Sequence, residues 1–262
     1  MQERHRDRKK YFEEQSITTK NYVIPFLAEV RDIKKELEVL EIGCGEGGNL
    51  EPFLSAGYKV TGVDILEAKI KNAVKFFENH EKIENLQLIV SDIYEPVKDL
   101  DHKFDIIFMR DVLEHIHDQS KFMSYVKRFL KPDGLFFLGF PPWQNPFGGH
   151  QQMCRNKFLS KLPWFHLLPG KTYPLVLKLF KEHESTIEAL LEIKETRINI
   201  EKFRRIIKKE NYLIHREVFW FINPNYEVKF GMKPRKMNKL ISSIPILRDF
   251  FITTNYYILG LK

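Results

Sequence analysis

The sequence predicts an α/β protein built on a doubly wound, mainly parallel sheet. Three observations carry this reading. Between residues 39 and 143, short apolar runs alternate with amphipathic stretches, the rhythm of right-handed βαβ units. A glycine-rich turn, Gly43-Cys44-Gly45-Glu46-Gly47-Gly48, follows the first apolar run, where absent side chains let backbone approach a ligand closely. Finally, Glu41, Asp64 and Asp92 fall near the ends of three successive strands.

The elements follow in order. VLEIG (39–43) reads as a buried strand, and NLEPFLSAG (49–57) as a short helix stopped by Gly57. YKVTGVDI (58–65) is the next strand. Leu66, Ile70, Ala73 and Phe77 then recur at the spacing of one helical face. LQLIVSDI (86–93) and FDIIFMR (104–110) are the third and fourth strands. Phe122, Val126 and Phe129 mark a helix ending before Lys131-Pro132-Asp133-Gly134, a turn signal. GLFFLGF (134–140) is the fifth strand.

Beyond residue 140 the rhythm changes. PPWQNPFGGHQ (141–151) reads as an irregular loop, and 155–182 is basic, aromatic and interrupted by proline. Ser185 with Glu188 resembles a capping box opening a helix to Ile193. A helix over 200–211 and two β-rich stretches, 214–222 and 249–261, complete the chain. Residues 1–38 form an N-terminal segment, helical at its end, that either covers a ligand or packs on the sheet. The main domain spans 39–262, with 141–200 as a cap or substrate-side insertion.

Composition narrows the class. The net charge is +7, from 42 basic and 35 acidic residues. Residues 151–262 hold 21 of the basic and 10 of the acidic ones, leaving 21 and 25 in residues 1–150. The basic excess therefore lies in the C-terminal part. It serves solubility, or it faces an anionic substrate, a membrane or a nucleic acid. Two cysteines, Cys44 and Cys154, are too few for a disulfide framework or a cysteine-based zinc site. No apolar run nears the roughly 18–20 residues that span a bilayer, and the charged N-terminus lacks an apolar stretch behind it. A cytoplasmic protein is expected.

The acids define the ligand. Gly43, Gly45 and Gly48 also satisfy the G-x-G-x-x-G dinucleotide pattern. Glu41 opposes that reading, because a carboxylate is awkward beside a pyrophosphate but suits an ammonium group. Asp64 can accept from both ribose hydroxyls, and Asp92 can take the exocyclic amino group of an adenine.

VLEIGCGEGGNL (39–50) resembles motif I of the class I S-adenosylmethionine-dependent methyltransferases. GVDI (62–65), SDI (91–93), FDIIFMRDVLEHI (104–116) and LKPDGLFFL (130–138) resemble the later motifs in order and spacing. The nearest type is the broad small-molecule group that includes the ubiquinone-pathway methyltransferases. The resemblance covers residues 39–140 and implies a Rossmann-like seven-stranded sheet whose last strand is antiparallel. It implies S-adenosylmethionine as cofactor. Glu41, Gly43, Gly45, Gly47 and Arg110 would then serve the methionine end, Asp64 with Ile65 the ribose side, and Asp92 with Ile93 the adenine.

On the substrate side, Asp111, Glu114 and His115 match positions that hold a divalent metal in some ubiquinone-pathway relatives; the same tripeptide is common without one, and no metal is expected here. A magnesium-like, oxygen-preferring ion would be the expectation if one bound. His150, on the Gly148-Gly149 loop, is expected to act as a general base ahead of His115. Residues 158–180 combine Trp164, Phe165, Leu167 and Leu168 with lysines, as a lid, an interface or a membrane-surface patch would. The expected partner is a small-molecule acceptor, anionic or apolar, with an oxygen nucleophile. The competing readings are a nucleic-acid methyltransferase and a cofactor-binding protein without catalysis. The first is disfavoured by the absence of an N/D-P-P-Y/F motif after the fourth strand. A nicotinamide dehydrogenase is disfavoured by Glu41. Oligomeric state is not legible.

Overall fold

The apolar runs form the strands they predict, and the central ones, over 38–42, 59–64, 104–110, 135–140 and 254–261, are buried on both faces. The structure, a computed structural model, describes residues 7–33, 36–95 and 100–262. Its strands are β1 (Glu38–Ile42), β2 (Lys59–Asp64), β3 (Leu86–Val90), β4 (Phe104–Arg110), β5 (Leu130–Phe140), β6 (Tyr212–Ile222), β7 (Arg235–Lys236) and β8 (Thr254–Leu261). They form one sheet in the order β3-β2-β1-β4-β5-β8-β6-β7. β1 to β5 pair in parallel, and β8 lies antiparallel between β5 and β6. The sheet therefore has eight strands rather than seven; the extra one is the two-residue β7 on the outer edge of β6.

The helices are α1 (Arg8–Thr18), α2 (Ile24–Ala28), α3 (Glu51–Ser55), α4 (Glu67–Phe77), α5 (Gln119–Val126), α6 (Thr172–Leu179), α7 (Glu184–Thr196), α8 (Ile200–Lys209), α9 (Asn225–Phe230) and α10 (Lys239–Ser242). A π-helical turn, Thr19–Val23, joins α1 to α2, so the N-terminal segment is helical from Arg8 to Ala28 rather than at its end.

Alternating strand residues feed two cores. Leu40, Ile42, Ile107, Met109, Phe136 and Leu138 face one side, against Phe122 and Val126 of α5 and Phe203 and Ile207 of α8. Val39, Ile106, Phe108, Leu135 and Phe137 face the other, against Phe26, Phe53, Ile70 and Phe77. A third, smaller core lies within residues 154–190, where Leu159, Phe165, Tyr173, Leu177 and Leu190 pack together. It gives the stretch after β5 a centre of its own.

Some expectations need correction. β5 begins at Leu130, before the Lys131–Gly134 turn signal: Leu130 pairs with Phe104 and Leu135 with Ile106, so the intervening residues form a bulge. Leu66 is the exposed residue before α4, whose buried face is Ile70, Ala73 and Phe77. α7 starts behind His183 and runs to Thr196 with no side-chain cap. The Ser185 hydroxyl pairs with His183 Nδ1 at 2.8 Å instead of closing a capping box.

The most crowded layer is aromatic. Phe137 stacks on Phe108 with ring centres 5.0 Å apart and meets Tyr256 edge-on at 5.1 Å. Phe137→Ala should lower unfolding free energy by about 3–5 kcal/mol, since rigid rings on both sides cannot collapse into the void. Urea denaturation of the variant checks this; a loss under about 1 kcal/mol would contradict the packing described.

Candidate active site and cofactor cleft

The strand ends build the site from its floor upward. β1 stops at Ile42, and the backbone N–H groups of Gly43 and Cys44 both reach Val63 O, at 2.8 and 3.1 Å. Gly43 has φ +71°, and a Cβ there would lie 2.6 Å from a methyl of Val112. Glycine is thus required by backbone and by space. The loop then bends over Asp64, whose Oδ2 accepts from Gly45 N–H at 2.8 Å while Oδ1 accepts from Leu66 N–H at 2.8 Å. One carboxylate fastens the glycine loop and the entry to α4 to the same point.

Glu41 is buried behind the loop. Its Oε1 accepts from Asn49 Nδ2 at 2.6 Å, and Asn49 Oδ1 accepts from the Thr19 hydroxyl at 2.9 Å. Oε2 is buried without a hydrogen bond. Burial pushes the Glu41 carboxyl up to about 8, opposed by the Asn49 bond and by Arg110. Arg110, the last residue of β4, is also buried, with Nη1 lacking a partner. Its stem lies beside Gly139, where a Cβ would meet the Tyr256 ring at 3.0 Å.

These groups line one cavity of about 670 Å³. Glu46, Asp64, Ile65, Asp92, Ile93 and Arg110 border it, together with Gly43 and Gly45. Glu41 and Gly47 do not; they sit behind the glycine loop. α1 supplies a wall through Tyr11 and Gln15. It approaches so closely that a Cβ on Gly48 would lie 2.5 Å from Phe12 O. Arg8 Nη1 donates to Glu46 Oε1 at 3.2 Å, tying the same helix to the loop. Tyr11, Gln15, Lys69 and Tyr94 were not singled out from the sequence. Their spacing carries no motif, and only the path of α1 and the turn after β3 bring them there.

The scan of family profiles matches residues 12–162 to the family described as Methyltransferase domain, which is more than half of the chain. The chain belongs to that family. Its cofactor is S-adenosylmethionine, and the domain is of the class I type. The methyltransferase's sequence is similar to the ubiquinone biosynthesis O-methyltransferase of Rickettsia conorii, 32% identical over 108 residues, covering 41% of this chain and 35% of that protein. It is 36% identical over 107 residues to the protein of the same name from Bartonella bacilliformis, covering 39% of this chain and 40% of the other. The chain thus spans about two fifths of the length of these relatives. Its fold is similar to a solved phosphoethanolamine N-methyltransferase 2 of Haemonchus contortus in complex with S-adenosyl-L-methionine, with TM-score 0.58, 17% identity, and coverage of 92% of this chain and 52% of that one. A SAM-dependent methyltransferase from Aquifex aeolicus matches with TM-score 0.53 and 15% identity over 94% of this chain and 93% of that one.

The residues fit the cofactor. Glu41 keeps one oxygen and Arg110 one nitrogen without a hydrogen bond, complementary to an ammonium and a carboxylate; Arg110 borders the cavity and Glu41 lies behind its glycine loop. A carboxylate offers about four acceptor sites; Asp64 uses two on backbone, leaving two for a vicinal diol. Asp92 Oδ1 accepts from Tyr94 N–H at 3.0 Å, which fixes that turn beside the cavity.

The histidines lie differently from expectation. His115 lines the cavity and His150 does not. The His150 ring meets His115 edge-on at 5.2 Å, and its Nε2 is 3.8 Å from Glu114 Oε1. The glycines before it are not a flexible hinge. A Cβ on Gly148 would lie 2.4 Å from Trp143 O, and one on Gly149 2.2 Å from His166 Cβ. Both are glycine because the turn is tightly packed. Glu114, His115 and His150 together bring three ligand-type atoms within 4.8 Å of one another. Asp111 is not part of that group, so it differs from the acid-rich trio implied by the resemblance. Two imidazoles and one carboxylate are a donor set for zinc or a similar ion rather than for magnesium.

The Glu41 environment yields a proton-linkage prediction. Its folded value, about 8, exceeds the ordinary 4.5. Its stabilising contribution is therefore complete below pH 4.5 and is lost as pH rises toward 8. A cofactor ammonium nearby favours the ionised carboxylate, so S-adenosylmethionine binding near neutral pH should release a proton. Calorimetry in buffers of different ionisation enthalpy measures it. Glu41→Gln should abolish the release, and a parent protein that releases none would contradict the assignment.

Proposed function

We propose that this domain transfers the methyl group of S-adenosylmethionine to an oxygen of a small apolar or anionic acceptor. The observation that carries the reading is that His115 opens into the cavity bordered by Asp64, Asp92 and Arg110. When bound, the cofactor supplies an electrophilic methyl carbon on a sulfonium. The protein's part is alignment and proton removal. Glu41, Asp64, Asp92 and Arg110 orient the cofactor, with the glycine loop and the backbone at Ile65 and Ile93 alongside it. Desolvation pushes the His115 imidazole below its ordinary value, so it is neutral at pH 7 and can take the acceptor's hydroxyl proton as the carbon–oxygen bond forms. His150 backs that ring and orients it. This reading therefore assigns the base to His115 rather than to His150, which the sequence ranks first; its support is that His115 borders the cavity and His150 does not.

The oxygen acceptor is supported by the names of the ubiquinone biosynthesis O-methyltransferases. The insertion over 141–200 reads as a cap on the acceptor side, since Glu192 of α7 borders the cavity beside His115 and His117. α1 reads as the cover over the cofactor.

Two measurements test the reading. Asp64→Ala should weaken S-adenosylmethionine binding by about 1–3 kcal/mol, the usual cost of lost hydrogen bonds to a charged group. A melting curve alongside separates that effect from release of the Gly45 clamp. Unchanged affinity, or tighter binding of NAD by the parent, would overturn the cofactor assignment.

For catalysis, His115→Ala should slow turnover by about 10²–10⁴-fold with cofactor affinity retained. His150→Ala should slow it less and shift the pH–rate profile. If His150→Ala is crippled while His115→Ala turns over normally, the roles are reversed. Activity abolished by chelation and restored by Zn²⁺ or Mg²⁺ would make Glu114, His115 and His150 ligands and overturn the metal-free proton transfer.

A further inference from the structure

Much of the chain between β6 and β8 is exposed. Within it, Phe230, Met232, Leu240, Ile244, Ile246 and Leu247 are all exposed, Leu240 at 78% and Ile246 at 59%. Exposed apolar side chains gathered along one stretch do not normally stay bare. The stretch is interspersed with cations. Residues 228–248 contain Lys229, Lys233, Arg235, Lys236, Lys239 and Arg248 and no acidic residue. Lys233, Arg235, Lys236 and Lys239 are exposed. Arg248 is turned inward, bonded to Glu201.

The backbone presents this surface at a cost. Ile246 has φ +66°, a region disfavoured for β-branched residues. The strained turn sits between exposed Ile244 and exposed Leu247, so the strain holds apolar side chains outward. Arg248 anchors its base, Nη1 donating to Ser242 O at 3.0 Å.

The position is also defined. β6 and β5 run the same way on either side of β8, and Trp220 and Phe140 lie opposite Thr254 and Asn255. The excursion therefore leaves the sheet at the edge where Arg110 and the cavity lie. α9, at its start, packs against α1, the helix that walls the cavity.

We propose that residues 229–247 form a docking surface for an anionic phospholipid bilayer, with the aliphatic side chains entering the interface and the lysines and arginine meeting phosphate headgroups. This inference does not depend on the identity of the methyl acceptor. A mixed aliphatic and cationic surface suits the headgroup boundary. It is unsuited to a second copy of the chain, where the cations would face each other across a twofold axis. It is equally unsuited to nucleic acid, which has no use for four exposed aliphatic side chains. The sequence offers such contact, beside a lid or an interface, for residues 158–180. There, Leu159, Phe165, Tyr173 and Leu177 are spent on the small third core, although Phe158, Leu175 and Leu179 remain exposed.

Co-sedimentation of the full chain with vesicles tests it. Binding is expected to vesicles of phosphatidylcholine mixed with phosphatidylglycerol, weakly to phosphatidylcholine alone, and to decline with added salt. The triple variant Lys233→Gln, Arg235→Gln, Lys236→Gln should lose about a hundredfold in affinity, at about fivefold per cation. Leu240→Ser with Ile244→Ser should lose at least about tenfold. Unchanged circular dichroism and cofactor affinity establish that the variants fold. The proposal is overturned if the parent ignores anionic vesicles, or if both variants bind like the parent. It is also overturned if Leu175→Ser with Leu179→Ser alone removes binding. A lipid-free dimer that the Leu240/Ile244 variant dissociates would assign the surface to a second copy instead.

Discussion

Asp64 is the point on which the site depends. Without its carboxylate, the Gly45 N–H at the turn and the Leu66 N–H at the entry to α4 would both be left near a low-dielectric interior, where unmet donors are costly. With it, the glycine loop, β2 and α4 share one anchor. The loop can then turn through positive φ at Gly43, Gly45 and Gly47 and still hold a single path. The residue that fixes the loop also borders the cavity, so its carboxylate would serve a ligand there through lone pairs that the backbone does not use.

Glu41 extends the same economy outward. It has a partner on one oxygen only, through an asparagine that is itself held by Thr19. α1 and its π-turn are thereby linked to the interior of the sheet by a chain of three side chains. The helix that walls the cavity is positioned by the group that a cofactor ammonium would satisfy. A buried carboxyl raised toward neutral pH is costly to keep ionised without a counter-charge. Its retention beside an unsatisfied Arg110 is intelligible where a zwitterion supplies both complements.

Much of this was legible in the chain. Period and strand-end acids identify the parallel half, because strands buried on both faces are written as continuous apolar runs. Asp64, Asp92 and Arg110 fall where those runs stop. What could not be read depends on distant packing. Gly148 and Gly149 look like a hinge, because glycine signals conformational freedom and close approach alike; only the positions of Trp143 and His166 show the second. The bulge at 131–134 is invisible, since Pro132 and Gly134 mark a turn whether or not the strand resumes on the same partner. Tyr11 reaches the cavity from 27 residues before β1, which starts at Glu38, a separation no spacing rule spans.

The charge division of the chain acquires a physical sense from the topology. The acidic half holds the acids that surround the cofactor cleft. The basic half forms β6, β8 and their excursion, and β8 enters the sheet between β5 and β6, so that the excursion emerges on the cleft's own edge. Had the last strand been added at the outer edge of β6, its connection would have lain one strand further from Arg110. The antiparallel insertion of β8 puts an exposed aliphatic and cationic stretch at the same end of the sheet as the cavity bordered by His115 and Ile116. On the proposed reading, an apolar acceptor held in an anionic interface would reach His115 without crossing bulk water, and the cations that attract the domain to that interface would be separated along the chain from Asp64 and Asp92 at the cavity.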